Sequence, residues 1–176
     1  RTWTVLSATS LGGAFTLGSV SVDSAGHPAA NYGGFTVSSS GNTVVLTWTP
    51  MIPVAKWRGS AGANWDFASA NWDILNSPSV YQNGIVTRFD DGGMVTTVNV
   101  AEAVSPGVIE FASSLNHSIG GAGPIGGAAS LVKSGIGTLT LTSANTFTGG
   151  TTIHSGTLAI TNASALGTGS VTLNGG

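Results

Sequence analysis

Cysteine is absent from the sequence, which excludes a disulfide framework and any thiolate metal site. Charge is nearly as scarce. Asp, Glu, Lys and Arg together make up 7% of 176 residues, against about 25% in typical soluble domains. The five Lys and Arg residues form no basic patch, so nucleic-acid binding has no electrostatic support. No apolar run reaches the roughly 18 residues that span a bilayer as a helix, so no transmembrane segment is expected in this chain. The sequence opens at Arg1 on strand-like residues and shows neither a signal-peptide pattern nor an initiator Met. A processed chain or a fragment of something longer is the expectation.

What fills the space is Gly, Ser and Thr. Gly alone numbers 27, and Ser and Thr are each nearly as frequent. Hydrophobic residues still reach 41%, so the composition is not that of a disordered chain, which combines low hydrophobicity with high charge. Thr and Val favour strands, and the Gly and Asn clusters favour turns. An all-β fold follows, with a surface of hydroxyls and amides in place of ions.

The chain divides into three stretches. Residues 1–53 read as short strands: Thr2 to Leu6, Ala14 to Leu17, Ser19 to Val22, and a hairpin of Phe35 to Val37 and Thr43 to Trp48 around Ser-Ser-Ser-Gly-Asn. Residues 54–93 form a Trp-rich capping or linking segment of irregular strand-loop character. Here Asn64-Trp65-Asp66 and Asn71-Trp72-Asp73 lie close together, with Gly, Asn and Ser around them arguing against a helix. Residues 94–176 alternate short strands with Gly-rich turns. The strands expected are Val95 to Val100, Val108 to Phe111, Ser130 to Lys133, Thr138 to Leu141, Thr151 to Ile153, Thr157 to Ile160 and Ser170 to Leu173.

Spacing organises this last stretch. Thr138-Leu139-Thr140-Leu141 recurs as Thr157-Leu158-Ala159-Ile160, and Thr151-Thr152-Ile153 recurs as Val171-Thr172-Leu173. Two different strands repeating at nearly one interval is the signature of a β-solenoid with coils of about 19–20 residues. Equivalent strands then pair in parallel, about 4.8 Å apart, one coil above the next. Leu139, Leu141, Ile153, Leu158, Ile160, Val171 and Leu173 point inward as the solenoid core, and Thr140 and Ala159 outward. One coil cannot bury its own apolar face, so neighbouring coils are required.

These residues carry a family resemblance. Leu131-Val132-Lys133-Ser134-Gly135-Ile136-Gly137-Thr138-Leu139-Thr140-Leu141 resembles the opening of the autotransporter-associated β-strand repeat. The likeness continues through Asn145-Thr146-Phe147-Thr148-Gly149-Gly150-Thr151-Thr152-Ile153 and Ser155-Gly156-Thr157-Leu158 to Asn162-Ala163-Ser164-Ala165-Leu166-Gly167. Residues 57–111 look like the lead-in to such a repeat, and residues 35–49 like the closing strands of a preceding repeat region. The resemblance implies a right-handed parallel β-helix in a large bacterial surface or secreted protein, with no catalytic motif to transfer.

The residues that carry chemistry elsewhere are thin here. Polysaccharide lyases and hydrolases on β-helices need clustered or paired acids. Residues 121–176 contain no Asp or Glu, so no enzyme is expected on that body. Asp66 and Asp73 fit either a small Ca²⁺ site or, preferably, turn capping; Asp90 and Asp91 are read the same way. His27, His117 and His154 have no metal-ligand spacing and read as surface or loop residues. Gly120 to Gly127 has no phosphate-binding Lys and precedes no helix, so it is a loop. No cofactor is expected. Trp57, Trp65, Trp72 and Tyr81 form the best candidate surface. They either stack on surface glycans, as in an adhesin, or cap the open end of the solenoid. The expected partners are neighbouring repeats or copies of the chain stacked head to tail, with a rigid extracellular spacer or fibre-forming unit as the function.

Overall fold

The computed structural model describes strands Thr2–Ser7, Gly33–Ser40 and Thr43–Pro50 as backbone, and residues 53–175 in full. The chain forms two units, Arg1–Ile52 and Pro53–Gly176. In the first, β1 (Thr2–Ser7), β2 (Gly33–Ser40) and β3 (Thr43–Pro50) form an antiparallel sheet of order β1-β3-β2. The expected hairpin around residues 41–42 is present, pairing Ser40 with Thr43 and Gly33 with Pro50. The strands expected at 14–17 and 19–22, and His27, lie outside the described residues.

The second unit is a parallel β-solenoid with no helix among the described residues. One wall contains β4 (Val54–Trp57), β8 (Val86–Phe89), β10 (Val108–Phe111), β12 (Ser130–Lys133), β14 (Thr151–Ile153) and β16 (Val171–Leu173), all parallel. A short antiparallel hairpin, β6 (Trp72–Ile74) and β7 (Ser77–Ser79), extends this wall beyond β4. The other wall stacks β5 (Asn64–Trp65), β9 (Thr97–Val100), β11 (His117–Gly120), β13 (Thr138–Leu141) and β15 (Thr157–Ile160). Rungs from the Trp-rich stretch therefore belong to the same two walls as the repeats.

Strand alternation builds the interior. In β4, β8, β10 and β12 the second and fourth residues are buried and the first and third are not. Parallel register places these positions one over another, in columns that run Thr87, Ile109, Leu131, Thr151 and Phe89, Phe111, Lys133, Ile153. Across the interior stand Val98, Ile119, Leu141 and Ile160. Apolar area removed from water along such columns is the main stabilising term, at about 25 cal/mol per Å².

Turn residues tie each coil to the next. The Asn83 and Asn116 side-chain carbonyls accept from the backbone N–H of Ser105 (2.7 Å) and Thr138 (2.8 Å) one coil on. Asn145 is buried and spans three coils: its carbonyl accepts from Ile125 N–H (2.9 Å) and its amide donates to Ala165 O (2.7 Å). The Gly120–Gly127 segment runs so close to the preceding coil that a Cβ on Gly123 would collide with the Glu102 carbonyl.

The single interval expected for the whole repeat body, about 19–20 residues, is corrected. It holds at the C-terminal coils, where Thr138 pairs with Thr157, Leu131 with Thr151 and Thr151 with Val171. Upstream the interval is longer: Val86 pairs with Val108, Val108 with Ser130, and His117 with Leu139. The extra residues sit in the turns and leave the columns in phase. β11 is a further rung, absent from the strands expected. Its His-Ser-Ile-Gly sequence has one strand-favouring residue, and pairing with β9 and β13 supplies what local preference lacks.

Candidate functional site

Trp57 and Trp65 occupy inward positions on β4 and β5, and Trp72 opens β6 opposite Trp57. All three, with Tyr81, are at most 1% exposed. Trp72 meets Trp57 and Trp65 edge-on, each with ring centroids 5.1 Å apart, and Trp65 meets Tyr81 at 5.3 Å. Phe89 of the next coil lies 5.7–5.9 Å from all three indoles. The Trp57 indole N–H donates to Val95 O at 2.7 Å. The structure thus brings the four aromatic residues singled out in the sequence into one cluster. Stacking of their faces on sugar rings was one option for them, and the burial removes it for these residues: none of the three indole faces is open to a glycan. The overlooked signal was alternation, since Ala55 and Trp57 share a side of one strand.

The seven residues assigned to the solenoid core fall into three groups. Leu139 and Leu141 are buried, while Ile153 and Leu158 are half-buried. Ile160, Val171 and Leu173 are 46%, 50% and 73% exposed. Their register is as expected, with Ile160 over Leu141 and Leu173 over Ile153. β15 and β16 are the outermost of the described strands in their walls, which accounts for the exposure of these inward positions. Ile153, His154, Ser155, Thr157, Leu158 and Leu173 line a groove of about 540 Å³ at this end.

Two basic residues enter the interior. Lys133 is fully buried in the column above Phe111. Its ammonium donates to Gly135 O (2.6 Å) and Ser155 O (3.2 Å) and lies 5.0 Å from the Phe111 ring centre. Loss of solvation lowers its pKa from the ordinary lysine value. His117, read from sequence as a surface or loop residue, is 2% exposed, a correction that follows from β11 being a rung. The imidazole packs edge-on against Phe111 (5.1 Å) and near Phe89 (6.2 Å). Nδ1 faces Leu115 O at 3.3 Å, and Nε2 is buried without a hydrogen-bond partner. Burial lowers the His117 pKa against the opposing pull of Leu115 O and the Asp91 charge.

The carboxylates are dispersed. Asp66 caps a turn, accepting from the N–H of Ala68 (3.0 Å) and Ser69 (2.6 Å). Burial acts to raise its pKa, but the hydrogen bonds from Ser69 and Ala68 prevail and lower it. Asp73, also read as a turn cap, lies in β6 instead, with Arg58 Nε 3.8 Å from Oδ2 and no partner on Oδ1. Asp90 accepts from Gly92 N–H (2.9 Å) and pairs with Arg58 at 2.7 Å. Asp91 binds the next coil through the Ser113 hydroxyl (2.6 Å) and the Ser114 N–H (2.6 Å) and hydroxyl (2.8 Å). Hydrogen bonds from Ser113 and then Ser114 bring its pKa down to about 2. Among the described residues, no three His, Asp or Glu side chains come together as a metal site.

Residues 131–160 match the family of the passenger-associated-transport-repeat. Neither a curated protein nor a solved structure matches the chain. The matched stretch runs from Leu131 in β12 to Ile160 at the end of β15 and covers both walls of the solenoid. Sequence match and parallel stacking agree over these residues, and both fit an autotransporter passenger repeat.

Proposed function

We propose that the chain is a non-catalytic structural module of a secreted or cell-surface protein, a rigid β-solenoid spacer that stacks end to end with neighbouring repeats or copies of itself. The observation that carries this reading is the unbroken parallel register of inward columns through β8, β10, β12, β14 and β16. Such a stack has one job its chemistry supports, which is to hold length and shape. The aromatic group of Trp57, Trp65, Trp72 and Tyr81, extended by the β6–β7 hairpin, acts as the cap that keeps water from the columns at its end. The groove beside Leu158 and Leu173 favours stacking of a neighbouring repeat or a second copy, by strand addition to β15 and β16. Low charge leaves little electrostatic repulsion to oppose that contact.

Sedimentation of the purified chain over a concentration series tests the self-stacking. The expected result is association that Leu173→Arg abolishes. A monodisperse monomer at high concentration overturns head-to-tail assembly. The spacer reading is tested separately by protease shaving of intact cells that make the parent protein, together with turnover assays on polysaccharides. Protection from shaving, or any turnover, overturns it.

A further inference from the structure

Phe111 is touched by two bases. The Lys133 ammonium lies 5.0 Å from its ring centre, and the His117 imidazole meets it edge-on at 5.1 Å. Both bases are enclosed, with His117 2% and Lys133 0% exposed. We infer that His117 makes the middle of the solenoid acid-labile: protonating it places a second cation beside Phe111, with no carboxylate hydrogen-bonded to it, and the coils around β10, β11 and β12 loosen.

The surroundings of His117 decide the direction. From β8 comes Phe89, from β10 Phe111, and from β13 Leu139, which is its register partner. None of these stabilises a cation by charge. The ring face of Phe111 already serves Lys133. Arg88 on β8 and Glu110 on β10 pair with each other at 2.6 Å on the partly exposed outer side of the wall. On β12, Lys133 is like-charged. From the β8–β9 turn, Asp91 attracts a charged His117, but its carboxylate is exposed and already held by Ser113 and Ser114. Nε2, which would carry the added proton, has no acceptor. A buried donor without a partner carries its full desolvation cost.

The sign follows from linkage. The folded chain holds His117 neutral below the ordinary value of 6.5, while the unfolded chain takes up the proton there. Stability from the neutral ring is therefore complete at pH values above about 6.5 and is lost progressively as pH falls below it. A break at this place would separate the aromatic coils from the matched repeat, within a pH range where carboxylates remain charged.

Thermal unfolding of the chain from about pH 7.5 to 5, in wild type and His117→Phe, provides the test. The midpoint should fall by about 5 °C in wild type and stay level in the variant. Changes at the other histidines, His27→Gln and His154→Gln, should leave the wild-type fall intact. Equal falls in wild type and His117→Phe overturn the inference. Should His117→Phe not fold, proton NMR of the wild-type imidazole decides: a His117 signal titrating near pH 6.5 with the fold unchanged refutes it, and one staying neutral until the coil amides exchange rapidly supports it.

Discussion

The two ends of the solenoid use the same parallel register to opposite effect. Toward β4, the inward positions hold Trp57, Trp65 and Phe89, with Trp72 and Tyr81 packed over them, and all are enclosed. Toward β16, they hold Ile160, Val171 and Leu173, and all are exposed. Strand alternation fixes which way a side chain points. What lies on the next rung fixes whether water reaches it. Bulky aromatics supply their own cover, because one indole reaches across the column to the next; the aliphatic side chains of β15 and β16 rely on an adjoining rung for theirs, as Leu139 and Leu141 do.

Substitutions at both ends test that contrast. Trp72→Ala should have the largest effect, costing about 3–5 kcal/mol in chemical denaturation, because it opens a cavity among closely packed buried rings. A cost below about 1 kcal/mol would mean that the cluster does not support the column. Leu139→Ala should cost about 3 kcal/mol and Leu158→Ala, its half-buried partner one coil on, about 1 kcal/mol. Equal costs would erase the gradient in burial that separates the ends. Acid titration gives a smaller effect. The Asp91 contacts contribute in full above the ordinary carboxyl value of 3.8 and are lost as pH falls through about 2. Carbon NMR of the carboxyl should show the low midpoint, and Ser113→Ala should raise it toward the ordinary value. Leu173→Ser should be nearly neutral for monomer stability, within about 0.5 kcal/mol, since the residue is 73% exposed. A larger loss in dilute monomer would show that the outer coil is packed more tightly than its exposure allows.

Much of the C-terminal half was legible because its turns are regular. Thr138–Leu141 over Thr157–Ile160 and Thr151–Ile153 over Val171–Leu173 are the pairings that the spacing predicts. The upstream coils were harder to see because β11 lacks strand-favouring residues and the interval lengthens, as between His117 and Leu139. The Trp-rich stretch was hidden by long insertions, which separate Val54 from its partner Val86 and Asn64 from its partner Asn99. No fixed period survives such gaps. The interior bases were half legible. Leu131 and Lys133 alternate on one strand, so an inward Leu131 already places Lys133 inside. What the sequence could not supply was acceptors for the ammonium, which are the backbone carbonyls of Gly135 and Ser155 from two different coils. His117 was lost with β11: without that rung it had no inward side to occupy.

The changing length of the returns from one wall to the other has a consequence for how such chains vary. The path from His117 to Leu131 is the longest of three, that from Leu139 to Thr151 the shortest, and that from Leu158 to Val171 falls between them. The rungs they join remain aligned despite this. Slack is thus confined to the perimeter, and a residue gained or lost there does not propagate into the lattice of side chains. Growth of the rod by whole turns, each with its own girth, then requires no adjustment in the turns already laid down.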